Sequence, residues 1–253
     1  MKKITLIAIL ISVLFMYCNK EKITNPQTNS EKNNSSQSVI MKRELAKFPY
    51  DSVGILHNEI LDYILSSEVD LEDYDEVLAL ASDYLNDTYG YGVAIDSLIQ
   101  EDEIIYDYIT GINSTIDDSY FIDYISEHVY LEDWEVNYID TMIMIINDEN
   151  LTYSKTLDML DDLENSINNY DGDLKNKLRL LSTNSVFIYS FVYWNEENSK
   201  KPTVRGVLTA DGLGVMASTS QIITASLFGP WWGVGYAATA AAVASTCAYV
   251  ASR

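Results

Sequence analysis

From Phe48 onward the apolar positions recur at intervals of three and four, the spacing that lines side chains along one face of an α-helix. SVGILHNEILDYILSS, residues 52–67, puts Ile55, Leu56, Ile60, Tyr63 and Ile64 on one stripe. Residues 73–86 do the same with Val77, Leu78, Leu80, Ala81, Tyr84 and Leu85. TYGYG at 88–92 breaks the run, and 93–112 predicts a third helix through Ile95, Leu98, Ile99 and Ile105. Asp117 and Asp118 stand where an N-cap belongs, ahead of Phe121, Ile122 and Ile125. Further helices fit 132–147, 153–168 and 173–195, the second introduced by Thr152 or Ser154 and the third by Asp171–Gly172. SVFIYSFVYW at 185–194 has the composition of a strand, and we read it as the buried end of the preceding helix. Four prolines and eleven glycines leave few breakers, so the pattern predicts an all-α, multi-helix bundle.

The end of the chain follows a different rule. No residue from Ile222 to Ala251 is charged. Two segments flank FGPWWG, where Pro230 suits the first turn of a helix and Gly229 the turn before it. Gly206, Ala210, Gly214 and Ser218 recur every four residues in the first segment; Gly233, Ala237, Ala241 and Ser245 do so in the second. Each helix then has a face without bulky side chains, which predicts a C-terminal small-residue hairpin whose backbones approach closely. The second segment, Trp231 to Ser252, would reach about 33 Å as a helix, enough to span a bilayer. Alanine adds little to insertion, however, and Asp211 burdens the first segment. From sequence alone the hairpin has two readings, insertion into a membrane and packing in a core.

The beginning reads as an address. In MKKITLIAILISVLFMYC, two lysines precede an apolar run from Ile4 to Tyr17, too short for a comfortable span and right for a secretory signal. The run ends on Cys18, and the whole resembles a bacterial lipoprotein signal with Cys18 as the lipidated residue, although Tyr17 stands where a small residue is usual. Asn19 to Ile40 is rich in Asn, Ser, Lys and Gln and reads as a flexible tether, reaching roughly 70–80 Å when fully stretched. The expected organisation is a signal over 1–18, a tether over 19–40, an acidic helical domain over 41–200 and the apolar hairpin over 201–253. The expected location is the cell envelope, lipid-anchored, at the outer membrane in preference to the inner.

Charge sharpens this picture. Met1 to Lys47 holds eight Lys/Arg and three Glu, whereas Phe48 to Lys201 holds six Lys/Arg against thirty-four Asp/Glu. No Lys or Arg occurs between Lys47 and Lys155, and the whole chain has a formal net charge of -22. Such a field repels nucleic acid and attracts cations or a basic protein or peptide.

Candidate chemistry is sparse. His57 has no carboxylate three or four residues away, and no Glu-x-x-His or His-x-x-x-His pair exists for a metal. His128 has Glu132 four residues on, ordinary helix decoration. The acidic stretches 68–76 and 100–107 invite a calcium reading, but the first lacks the glycine and the closing glutamate of a calcium loop. Without a phosphate loop or a nucleophile elbow, the reading assigns no catalytic residue, no metal site and no cofactor, with a hydrolase using His57 a distant third. Cys247, among alanines, reads as a small buried apolar residue.

FPYDSVGILHNEILDYI, followed far downstream by VYW and ADGLG, contributes Tyr50, Asp51, Gly54, His57, Asn58, Leu61, Tyr193, Trp194, Ala210, Asp211, Gly212 and Gly214 to a shared pattern. In these the chain resembles a group of uncharacterised Bacteroidota-type lipoproteins that join a helical domain to a Gly/Ala-rich, bacteriocin-like tail. The resemblance implies no particular activity. The sequence thus points to a cell-envelope lipoprotein acting as a non-enzymatic interaction module through its acidic helices. The alternative is a membrane-active or self-assembling effector using the hairpin, which would add a second membrane contact to the lipid anchor.

Overall fold

Ten α-helices make up the regular structure of the described residues, and no strand occurs among them. The computed structural model describes residues 50–90, 94–111, 118–197, 204–218 and 230–251. Cys18 and the tether lie outside them, as do Asp117 and Gly229. The described helices belong to one compact unit.

Local chemistry sets the boundaries. Helix α1 (Asp51–Ser66) begins on an acidic residue, which suits the positive end of the helix dipole, and α2 (Tyr74–Tyr89) is capped by Asp73. The Asp73 carboxylate accepts the amides of Asp75 and Glu76 at 3.1 and 3.2 Å. At its other end α2 runs on through Tyr89 and stops at Gly90, whose φ of 65° is left-handed. Over the next segment the expectation of one helix gives way to two, α3 (Ile95–Gln100) and α4 (Glu103–Gly111). Asp102 divides them. Its amide donates to the Ile99 carbonyl while its side chain accepts from the Ile104 amide at 3.2 Å, so it closes one helix and caps the next.

Helix α5 (Asp118–His128) precedes α6 (Asp133–Asn147), whose first turn is a reciprocal capping box between Glu132 and Glu135. Of the two caps expected for α7 (Tyr153–Asn169), Thr152 takes the role, its hydroxyl accepting from the Lys155 amide. Helix α8 (Leu174–Glu197) starts behind Asp173 rather than Asp171, and runs unbroken through 185–194. Helices α9 (Val204–Ala217) and α10 (Pro230–Ala251) are the two arms of the tail.

The core is built from the parts of the chain that lack a polar face. Arg179–Val192 of α8, Val207–Ala217 of α9 and residues 233–246 of α10 are buried at every position. Helix α10 packs on α9 and α1 and is flanked by α2, α3 and α4, while α8 packs on α9, α1, α7 and α6. A helix apolar on every side belongs in the interior, and the amphipathic helices supply its cover. This shifts the buried stripe of α1. Gly54, His57 and Leu61 face inward with Val53, Leu56, Ile60 and Ile64, whereas Tyr63, expected in the stripe, is 39% exposed. The smallest residues mark the closest approaches. A Cβ on Gly54 would lie 2.7 Å from the Ser185 carbonyl oxygen, and one on Gly212 would strike the Phe187 ring.

Candidate functional site

Gly206 lies on α9, and the other seven residues singled out in the hairpin, Ala210, Gly214, Ser218, Gly233, Ala237, Ala241 and Ser245, are buried on α9, at its end, or on α10. A Cβ on Gly214 would lie 3.1 Å from Ala241 Cα and 3.3 Å from the Ala240 carbonyl oxygen, so these two arms are in backbone contact at that level. Ala210 has a different neighbour, its carbonyl accepting the Tyr108 hydroxyl of α4 at 3.0 Å. Ser218 turns back on its own helix, donating to the Val215 carbonyl at 2.7 Å. Gly233–Ala251 has a mean hydropathy of 1.4 and is long enough to cross a membrane, yet 83% of its apolar window is buried within the protein.

Beneath the hairpin lies a polar cluster that sequence spacing did not announce. His57 Nε2 of α1 stands 3.7 Å from Asp211 Oδ2 of α9, both fully buried. Ser190 of α8 donates its hydroxyl to the same carboxylate oxygen. Trp194 of α8 and Ser245 of α10 also face Asp211, their indole N–H and hydroxyl just short of hydrogen-bond geometry. His57 Nδ1 pairs with Asn58 Oδ1 at 2.8 Å, and the Asn58 amide donates to the Tyr189 carbonyl of α8 at 3.0 Å. Four helices therefore meet at one carboxylate. Their residues come from both ends of the chain, and they include several of those that carry the pattern HN, YW and ADG quoted above.

Burial sets the protonation of this cluster. It pushes the Asp211 carboxyl up to about 8, against the opposing hydrogen bond from Ser190. It pushes the His57 imidazole down to about 4, opposed by Asn58. Between those limits His57 is neutral and Asp211 keeps its proton. A neutral pair is the form that a water-excluded site favours. As for chemistry, Ser190 is bonded to the carboxylate and not to the imidazole, so His57 is not placed to take its proton. The geometry makes these residues a buried tie between α1, α8, α9 and α10.

The surface around α2 is lined with carboxylates. Glu68, Asp70, Glu72, Asp73, Asp75, Glu76, Asp83 and Asp87 are all exposed around α2 and the turn before it. Two of the few cations are used internally. Arg179 pairs with fully buried Glu135, its Nε donating to Oε1 at 3.0 Å, and Lys177 donates to the carbonyls of Asn168 and Tyr170. In the acidic stretches that invited a calcium reading, Asp70 accepts a backbone amide in the turn before α2, and Asp73 and Asp102 accept amides at helix starts, at 3.0 to 3.2 Å. Among the described residues no three His, Cys, Asp or Glu side chains come together as a metal site. His128 stacks on Tyr124 at 4.1 Å and bonds its carbonyl, and Cys247, with part of its surface exposed, is held above the usual thiol range by burial.

No protein-family model, curated protein or solved structure matches this chain.

Proposed function

We propose that the chain is a cell-envelope lipoprotein whose acidic helical body works as a non-enzymatic interaction module for a basic protein or peptide. The observation that carries this reading is the one-signed surface of the first helices, where no Lys or Arg occurs from Phe48 to Ser154 and the carboxylates of α2 face solvent. A field of that kind speeds the encounter with a cationic face and rejects anionic surfaces, including nucleic acid and acidic lipid headgroups. The burial of Asp211 and α10 adds support, since an apolar tail occupied with the core leaves the acidic exterior as the surface a partner meets. Capture of an arginine-rich peptide by the full chain should weaken at least about tenfold between roughly 50 and 300 mM NaCl, because screening shortens the reach of exposed charges. Affinity unchanged over that range would overturn the reading.

A second reading has one observation in its favour, the length and hydropathy of Gly233–Ala251. In it the hairpin leaves the core and enters a bilayer. Flotation of the non-lipidated chain with neutral phosphatidylcholine vesicles tests it: a protein that stays at the bottom of the gradient, at neutral pH and under acid, excludes this reading.

A further inference from the structure

The side-by-side packing of α1 and α2 brings together a group of residues that neither helix reveals alone. Glu59 and Tyr63 of α1 meet Tyr84 and Tyr89 of α2. The rings of Tyr63 and Tyr84 lie 4.9 Å apart and tilted by 35°, and Tyr89 meets Tyr84 edge-on at 6.2 Å. The hydroxyls of Tyr84, at 3.5 Å, and of Tyr89 both donate to the Glu59 carboxylate, and both reach the same oxygen, Oε2. Tyr63 and Tyr89 are 39% and 49% exposed, so this arrangement opens to solvent. One turn along α1, exposed Asp62 accepts the Tyr193 hydroxyl at 2.8 Å, and α2 adds exposed Asp83 and Asp87.

The chemistry of these groups has one sign. Aromatic faces carry negative potential and attract cations. A phenol that donates to a carboxylate gains electron density in its ring, which strengthens that attraction. The Glu59 carboxylate brings a full negative charge within reach of the rings, and with both phenols on Oε2 its other oxygen can accept from a further donor. A planar guanidinium suits this pairing of ring face and carboxylate better than a spherical ammonium, since it can stack and donate at once. We infer that Glu59, Tyr63, Tyr84 and Tyr89 form a recognition site for an arginine side chain of a basic partner. This rests on the proposal that the acidic body binds such a partner, and it names the place where one residue of that partner is anchored.

The test titrates a fluorescent ten-residue peptide of alternating arginine and serine against the full chain, with far-UV circular dichroism and melting curves for each variant. Tyr89→Leu leaves the net charge unchanged and should weaken binding about fivefold, the effect of one cation–π contact near the surface. Glu59→Gln should weaken it about tenfold. A control that removes two charges elsewhere, Asp70→Asn with Glu72→Gln, should cost about twofold or less and lower the salt dependence instead. Tyr89→Phe, which keeps the ring, should stay within about twofold of the parent, and a lysine–serine peptide should bind more weakly than the arginine one. If Tyr89→Leu fails to fold, Tyr63→Leu makes the same comparison on the other helix. Leucine variants that bind as the parent does would overturn the site while leaving the acidic-surface proposal standing. A parent chain that binds neither peptide at low salt would overturn both.

Discussion

At the residue scale the pair His57–Asp211 makes stability depend on pH in a direction that can be worked out. Asp211 ionises near its ordinary 3.8 when unfolded and at about 8 when folded, so its raised value costs stability as pH rises between those limits. His57 gains a proton near 6.5 when unfolded and at about 4 when folded, so its lowered value costs stability as pH falls between those limits. Between about 4 and 6.5 the two effects oppose and the pair contributes little slope. From about 6.5 to 8 only Asp211 acts, and stability should fall by up to about 1.4 kcal/mol per pH unit. Asp211→Asn should abolish that decline above 6.5 and uncover a loss below it, caused by His57 alone. Urea unfolding of both chains from pH 5 to 9 decides the matter, and parallel curves would show that folded Asp211 does not keep its proton in that range. None of this was readable from spacing, because His57 and Asp211 are 154 positions apart and only packing joins them.

Among elements, the hairpin is the informative case. Its apolar character and the helix start at Pro230 were legible, since charge depletion and proline placement are local properties. What covers it was not. Helix α10 lies against α1, α2, α3 and α4, and α9 lies against α8, so removing both arms would uncover Phe187, which packs on Gly212, and Trp194, which stacks on Tyr249. A chain ending at residue 203 should therefore lose most of its cooperative melting transition and much of its helical signal by circular dichroism. A short chain that keeps a sharp transition would instead mark the acidic helices as an independent domain and the hairpin as a separable part. The 93–112 segment teaches the converse lesson. Its apolar spacing suits one helix, but the Asp102 side chain competes for backbone amides and divides it, and Tyr236 of α10 reaches the same carboxylate at 3.3 Å.

For the whole molecule, a formal charge of -22 confined mostly to one shell means that folding concentrates like charges. Unfolding spreads them out, so added salt should stabilise the fold. Between roughly 10 and 300 mM NaCl the Debye length drops from about 30 to about 6 Å, and the melting temperature should rise by about 3–6 °C. Differential scanning calorimetry at neutral pH measures this directly. An unchanged or falling melting temperature would mean that the shell carries no net repulsion, which would also weaken the case for a cationic partner.

The sequence by itself determined the helical class, most helix boundaries, the choice of Thr152 or Ser154 at the start of α7, and the division of charge between an acidic stretch and an apolar end. These depend on residues within a few turns of one another, where periodicity, capping and charge act. Tertiary structure alone decided that Tyr63 turns outward beside Tyr84 and that the apolar arms are enclosed by the acidic helices. It also decided that Asp211, the only carboxylate of the tail, is met by His57 and Ser190. The reason is physical. An apolar face requires only that something exclude water from it, and the pattern along one helix does not say which other helix will do so.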